Sequence, residues 1–126
     1  MSLRTPLARV KGTGSAGEGT GHFWHQRLTA VALIPCVIWF CFSLASLPTL
    51  DYQSLRGWLS SPLSAVLMIS ALIALFFHAA LGLQVVIEDY VSDRGIRTTG
   101  IIAVKLLCVL LAVAGIFSVL KIALGS

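Results

Sequence analysis

The stretch PLSAVLMISALIALFFHAALGLQVVIEDY, residues 62–90, decides the fold. Residues 62–87 contain no Asp, Glu, Lys or Arg, and as a helix they are long enough to cross the roughly 30 Å hydrocarbon core of a bilayer. A helix is expected because backbone N–H and C=O groups find no water to bind inside hydrocarbon. The stretch therefore predicts a membrane-spanning helix with one ionisable side chain, His78, inside it.

The composition of the whole chain agrees with a membrane protein. Of its 126 residues, 57% are hydrophobic and 11% are charged, and the mean hydropathy is +0.93. A soluble domain of this size has too little interior to hide that much apolar surface, so lipid must cover the remainder. Two further apolar segments, about 28–47 and about 100–124, predict two more spans. The predicted fold class is an all-α membrane protein with three transmembrane helices.

The amino-terminal residues 1–21 differ from the rest of the chain. They are rich in Gly, Ser and Thr and show no hydrophobic periodicity, so we predict a flexible basic tail followed by a transmembrane domain over residues 22–126. The basic, acid-poor start also resembles a mitochondrial transit peptide, although its glycines oppose an amphipathic helix. The first apolar run resembles a cleavable signal peptide, but it is long enough to span.

The polar residues indicate how the helices sit in the membrane. Tyr52 and Trp58 are typical interfacial anchors in a link that Pro48 and Gly57 break up. With the amino terminus inside, only Arg56 and Lys121 of the nine basic residues lie outside; the inner ones are Arg4, Arg9, Lys11, Arg27, Arg94, Arg97 and Lys105. The positive-inside rule therefore predicts a cytoplasmic amino terminus. Because these residues flank apolar runs and form no patch with aromatic residues, nucleic acid is not expected as a partner.

His78 lies 12 residues before Tyr90, about 18 Å along the helix and close to mid-membrane. Ionisable side chains at that depth are costly and usually face a bundle interior with a partner. At 100° per residue, Ala74, Gly82 and Asp89 project within about 40° of His78. Such a seam of small residues permits close helix packing, and it also leaves a flat slot for a porphyrin edge. The residues alone leave His78 as a helix–helix hydrogen bonder or as a haem or proton-relay residue.

The carboxyl end of this span carries a different chemistry. Tyr90 is turned about 100° from Asp89, so a phenol and a carboxylate enter different parts of one boundary region. A phenol can donate a hydrogen bond to a carbonyl oxygen, and a carboxylate can orient it or pass protons from water. These groups suit a membrane-soluble quinone, which takes up protons when it is reduced. The alternative is a plain interfacial cap of an aromatic anchor and water-seeking charges.

The start of the first span, GHFWHQRLTAVAL, places His22, His25 and Arg27 at this same inner boundary. Neither histidine is expected to reach the depth of His78, so a second haem ligand would have to come from another polypeptide. Arg27 either snorkels outward as a topogenic charge or pairs with haem propionates or the rim of a quinone pocket.

Motifs for a self-contained activity are missing from the sequence. It has no GxGxxG, no phosphate loop and no HExxH. Cys36, Cys41 and Cys108 lie inside apolar runs without CxxC spacing and are interpreted as core or lipid-facing residues. Any catalytic role of this chain is therefore an assisting one.

The segments HFWHQRLTAVAL and HAALGLQVVIEDYV resemble the hydrophobic membrane-anchor subunits of succinate dehydrogenase, respiratory complex II, of the smaller three-helix type. The resemblance covers residues about 22–124; its most specific part is the histidine, the glycine four positions later and DYV at the helix end. It implies that the helices pack with a cytochrome b-556 anchor chain into a bundle that binds haem b. It also implies a ubiquinone site formed with the iron–sulfur subunit, with FAD and the iron–sulfur clusters held only by the flavoprotein and iron–sulfur subunits.

Carried over position by position, the resemblance implies that His78 is one axial ligand of the haem iron. It implies that Tyr90 hydrogen-bonds the quinone and that Asp89 supports it. Arg27 matches an arginine near the haem propionates and the quinone region, and His22 is a looser match because the spacing between histidine and arginine varies. The role of His25 is left open.

Two other functions fit the same residues. A fumarate reductase anchor has the same architecture and the reverse direction of electron flow. A cofactor-free transporter or assembly subunit would use His78 for packing or proton relay. The expected function is the anchor that helps succinate dehydrogenase, an enzyme of the tricarboxylic acid cycle, to reduce ubiquinone. The lack of a convincing presequence favours a bacterial inner membrane over a mitochondrial one.

Overall fold

The computed structural model describes the backbone of residues 15–125 and the side chains of residues 21 and 23–125. This part of the chain contains no strand, and its helices are α1 (Ser15–Ser46), α2 (Tyr52–Ser60), α3 (Pro62–Tyr90) and α4 (Arg94–Ala123). Three segments are long and apolar enough to cross a membrane, namely Phe23–Ser46, Pro62–Tyr90 and Arg94–Ala123. The predicted all-α fold class with three spans is confirmed.

Two of the long helices extend further than their apolar segments. α1 runs from Ser15 rather than from near residue 28, and α4 runs from Arg94 rather than from near residue 100. Hydropathy locates the part of a helix that lies in lipid, whereas the helix itself continues as long as its backbone hydrogen bonds are made. Residues 15–21, predicted as flexible tail, are therefore helical, and residues 1–14 lie outside the described residues.

The link between the first two spans contains α2, a short helix that the sequence pattern did not predict. Asp51 caps it, because its carboxylate accepts a hydrogen bond of 2.9 Å from the Ser54 backbone N–H. That hydrogen bond lowers the pKa of the Asp51 carboxyl. Gly57 lies inside α2 and does not end it, whereas Pro62 occupies the first turn of α3, where a missing N–H costs nothing.

α3 is the central helix, with α1 and α4 packed against it. The partly buried side of α1 recurs every three to four residues, at Gln26, Thr29, Leu33 and Cys36, as expected for one face of a helix. Between α3 and α4 the Leu72 side chain packs against Gly115, where a Cβ atom would lie 3.1 Å from Leu72 Cδ1. Small residues thus permit close helix contacts, as is typical of helices in lipid.

The helices cover little of one another within this chain. Among the described residues only Ser64, Ala65, Cys108 and Val119 are buried. Within an apolar 18-residue stretch of each span, the buried share is 0% in α1, 11% in α3 and 6% in α4. All three cysteines are free, with Cys41 exposed and Cys108 buried, as the sequence predicted for core and lipid-facing positions. Lipid or another protein must therefore cover most of the apolar surface.

Hydroxyl groups inside the spans are satisfied locally. Ser70 donates to the Val66 carbonyl and Ser118 to the Ala114 carbonyl, each at 2.9 Å and one turn back along its own helix. Such bonds remove the cost of an unpaired hydroxyl in hydrocarbon without a partner on another helix. A hydroxyl that also binds across to another helix therefore stands out.

Candidate functional site

His78 is joined to the first helix by a hydrogen bond. Its Nδ1 lies 3.0 Å from Thr29 Oγ1 of α1, and the ring is half-buried between the two helices. The other ring nitrogen, Nε2, forms no hydrogen bond with the side chains and backbone that the structure describes. An imidazole with one ring nitrogen held by a hydrogen bond and the other free has the form of a metal-ligating histidine.

Thr29 is itself held in place by its own helix. Its Oγ1 lies 2.9 Å from the His25 carbonyl oxygen and 3.0 Å from that of Gln26. The ring of His25 meets the ring of Phe77 edge-on, with centroids 5.9 Å apart. His25 therefore contacts the residue next to His78 and does not contact His78 itself.

The next turn of α3 also faces α1. A Cβ atom on Gly82 would lie 3.8 Å from Gln26 Nε2, so the amide of Gln26 occupies the space beside the glycine. The small residue therefore accommodates α1, which favours the helix-packing interpretation at this position. Gln26 Oε1 is buried and has no hydrogen-bond partner within the described residues.

The helix register places the first span differently from the sequence-based expectation. Thr29 lies opposite His78, so Arg27 is only about 3 Å and His25 about 6 Å from that level along α1. Arg27 and Tyr90 were expected at one boundary, about 18 Å from His78. The reason for the difference is that α1 extends back to Ser15 and runs antiparallel to α3, so its first turn, and not Arg27, is level with Tyr90.

Arg27 lies on the side of α1 that faces away from α3. At 100° per residue it is about 160° around the helix from Thr29, and its side chain is exposed. The guanidinium carbon sits 5.1 Å from the centroid of the Phe23 ring, one turn towards the helix start. Among the described side chains it forms no ion pair. The chain therefore does not bring Arg27 and His78 together, and His22 lies on α1 with its side chain outside the described residues.

The carboxyl end of α3 presents its polar groups outward. Tyr90 is 84% exposed, Asp89 is exposed, and Glu88 accepts a hydrogen bond of 2.9 Å from Gln84 Nε2. Twelve residues separate Tyr90 from His78, about 18 Å along the axis. Tyr90 and Asp89 therefore form a separate, open surface at the end of the helix.

The turn that follows α3 is tightly held. Asp93 caps α4 by accepting a hydrogen bond from the Gly95 N–H at 3.2 Å. Arg97 reaches back and donates from Nε to the Val91 carbonyl at 2.9 Å and from Nη2 to the Ser92 carbonyl at 3.4 Å. These bonds fix the start of the turn directly after Tyr90, so the phenol is carried by a well-defined piece of backbone.

Sequence reasoning singled out His78, Asp89 and Tyr90, whose roles stay predictions, and it did not consider Thr29 and Gln26. The side-chain groups of the described region form no cluster of three or more His, Cys, Asp or Glu that could hold a metal ion by themselves. Thr29 follows Arg27 by two positions in the quoted RLTA segment, but nothing local marks it as a partner of a residue 49 positions away. The role of Thr29 becomes visible only from the contact between α1 and α3, and that contact is known only once the fold is known.

Comparison with known proteins adds an independent line of support. Residues 1–114 match the family described as succinate dehydrogenase/fumarate reductase transmembrane subunit. A succinate dehydrogenase hydrophobic membrane anchor subunit from Rickettsia bellii is 39% identical over 117 residues, 93% of this chain and 94% of that protein. The subunit of the same name from Rickettsia conorii is 33% identical over 89% of this chain and 90% of its own.

A more distant relative extends the similarity over the whole chain. The succinate dehydrogenase hydrophobic membrane anchor subunit of Paracoccus denitrificans is 28% identical over 126 residues, 100% of this chain and 97% of that protein. The matches cover 89–100% of this chain and 90–97% of the three relatives, so these proteins agree with it in length as well as in sequence. The chain is an integral membrane protein, and it belongs to the succinate dehydrogenase/fumarate reductase transmembrane subunit family.

Proposed function

We propose that this chain is the hydrophobic membrane anchor of a succinate dehydrogenase, that it binds haem b together with a partner anchor chain, and that it forms part of the ubiquinone-reduction site. The observation that carries the proposal is the state of His78, whose Nδ1 is held by Thr29 while Nε2 is free of hydrogen bonds within the described residues. A bound haem b supplies a one-electron redox centre inside the membrane.

The donor chemistry at His78 fits such a group. The half-buried imidazole offers a ring nitrogen of the kind that haem iron takes as a ligand. His78 would provide one ligand of the haem iron, and a second would come from the partner chain. The apolar surface that the three spans leave exposed supports an interface that another chain completes.

The end of α3 is the proposed contact for ubiquinone. Tyr90 projects an exposed phenol from which a hydrogen bond can be donated to a quinone carbonyl oxygen. Asp89, one residue earlier and also exposed, is suited to relay protons from the aqueous side to that carbonyl. Because the chain covers this surface so little, the site is completed by the iron–sulfur subunit, which delivers the electrons.

The side chain of His22 lies outside the described residues. Arg27 occupies the face of α1 turned away from α3, so this chain does not direct it towards the propionates of a haem at His78. The names of the relatives support a complex with other subunits. In the proposed assembly these are a flavoprotein subunit, an iron–sulfur subunit and a cytochrome b-556 anchor in a bacterial inner membrane, and the reaction runs from succinate to ubiquinone.

The experiment that tests the haem assignment is the dithionite-reduced optical spectrum of the complex in membranes. We expect His78→Ala to abolish the b-type absorbance, because the variant removes the iron ligand that we propose this chain provides. His25→Ala is the matched control, a nearby α1 histidine that should leave the spectrum unchanged. Dye-coupled succinate oxidation in the same membranes reports whether the complex has assembled. An unaltered haem spectrum in His78→Ala would remove His78 as a ligand.

A further inference from the structure

The contacts of Thr29 determine where its hydroxyl hydrogen lies. Thr29 Oγ1 is 2.9 Å from the His25 carbonyl oxygen and 3.0 Å from the Gln26 carbonyl oxygen. Two oxygens at these distances repel each other unless a hydrogen lies between them, and a carbonyl has no hydrogen to give. The hydroxyl therefore donates to its own helix, as threonines in helices commonly do.

The direction of that bond fixes the role of the histidine. A hydroxyl has one hydrogen and two lone pairs, so once its hydrogen is used, Thr29 Oγ1 can only accept from a third group. The third group is His78 Nδ1 at 3.0 Å, which must then carry the ring hydrogen. In that tautomer Nε2 carries a bare lone pair. In the opposite arrangement Nε2–H would have no acceptor among the described residues and would need one from another molecule.

We infer that Thr29 is a positioning residue that holds His78 as the Nδ1–H tautomer with Nε2 ready to ligate iron. The inference rests on the proposed function, because it concerns the ligand that His78 would provide. Threonine is well suited to this role, because its branched side chain has few rotamers in a helix and the bonds to the two carbonyls select one of them. The hydrogen bond to Thr29 thereby fixes the orientation of the His78 ring as well as its tautomer.

The chemical consequence is a more basic ligand. A ring nitrogen that donates its hydrogen to an acceptor pushes electron density onto the other nitrogen, and outer partners of this kind typically change metal affinity or activity by about 10–100-fold. A more basic axial ligand favours ferric over ferrous iron. Removing the acceptor should therefore raise the midpoint potential of the haem and loosen the orientation of the ring.

The test compares Thr29→Val and Thr29→Ser in the assembled complex, with the haem midpoint potential and the ferric electron paramagnetic resonance spectrum as readouts. Valine keeps the branched shape and lacks the hydroxyl, whereas serine keeps the hydroxyl. We expect Thr29→Val to weaken the preference for ferric iron by about tenfold, an upward shift of about 59 mV for a one-electron couple. Thr29→Ser should stay near the wild-type potential. If Thr29→Val lost its haem while Thr29→Ser kept it, that difference would also support the role of the hydroxyl.

The control is Ser70→Ala on α3, which removes a hydroxyl that bonds only within its own helix. It should leave the potential unchanged. An unchanged potential and resonance spectrum in Thr29→Val, or equal effects of valine and serine, would overturn the role of the Thr29 hydroxyl while leaving His78 as a ligand. If His78→Ala retained its haem, the proposed function itself would fail, and the role of Thr29 with it.

Discussion

Tyr90 lies at the end of a helix and exposes almost its whole side chain, which is unusual for a tyrosine whose role is packing. It is the last residue of α3, and it is 84% exposed, although tyrosine usually buries its ring and leaves only its hydroxyl at a polar boundary. The turn behind it is fixed by Arg97, which bonds the Val91 carbonyl at 2.9 Å. A phenol on a well-held backbone with nothing of its own chain covering it is suited to contact another molecule.

Replacing Tyr90 with phenylalanine isolates the phenolic oxygen. We expect Tyr90→Phe to lower ubiquinone reduction by about tenfold or less, since one hydrogen bond contributes roughly 0.5–1.5 kcal/mol. Succinate oxidation coupled to a soluble dye should be largely retained, because the proposed contact of the phenol is with the quinone alone. The two assays are run on the same membranes.

Tyr52→Phe provides the matched control, because Tyr52 is also exposed but begins α2 at the other end of the spans. It should change neither activity. If Tyr90→Phe left quinone reduction intact, the quinone role of the phenol would be wrong. Equal loss of both activities in Tyr90→Phe would instead indicate failed assembly.

At the scale of the helices, features that depend on neighbouring residues were predictable from the sequence, whereas features that depend on contacts between helices were not. The apolar parts of α1, α3 and α4 were predictable because a run of apolar residues is a local property of the chain. His78 was recognisable for the same reason, as one ionisable residue in such a run. The helical extension to Ser15 and the pairing of Thr29 with His78 were not, because helix ends follow backbone bonding and the pairing depends on the antiparallel register of α1 and α3.

That register can be tested at Gly82, where the two helices approach. An alanine Cβ would lie 3.8 Å from Gln26 Nε2, an ordinary contact, so Gly82→Ala should leave haem content and thermal stability near wild type. Leucine reaches further and must displace the Gln26 amide, so Gly82→Leu should destabilise the complex by about 1–3 kcal/mol and reduce its haem. The measurements are haem per complex and the midpoint of thermal unfolding.

Gly57 in α2 provides the control for the substitutions at Gly82. A Cβ atom on Gly57 would meet nothing within 4 Å, so Gly57→Leu should be tolerated where Gly82→Leu is not. Loss of haem in Gly82→Ala without loss of stability would contradict the packing interpretation. That outcome would instead place a porphyrin edge beside the glycine.

For the whole molecule, the distribution of polar groups defines two different ends. α2, which Asp51 caps, lies at one end of the spans. The rings of Trp39 and Trp58 lie at the same end, with their centroids 5.5 Å apart. The three-residue turn between α3 and α4 lies at the other, where Arg94 and Arg97 are found. Basic residues favour the cytoplasmic side, so this turn should share that side with the amino terminus and with the catalytic subunits of the proposed complex.

Cysteine labelling decides this orientation. In a background where Cys36, Cys41 and Cys108 are replaced by alanine, Ser92→Cys marks the α3–α4 turn and Gln53→Cys marks α2; both positions are exposed. A membrane-impermeant maleimide should label Ser92→Cys only in inverted vesicles and Gln53→Cys only in intact spheroplasts, because each residue lies beyond a different end of the apolar spans. The reverse pattern would place the amino terminus outside. It would also put Tyr90 on the side away from the cytoplasm, where a cytoplasmic iron–sulfur subunit could not reach it.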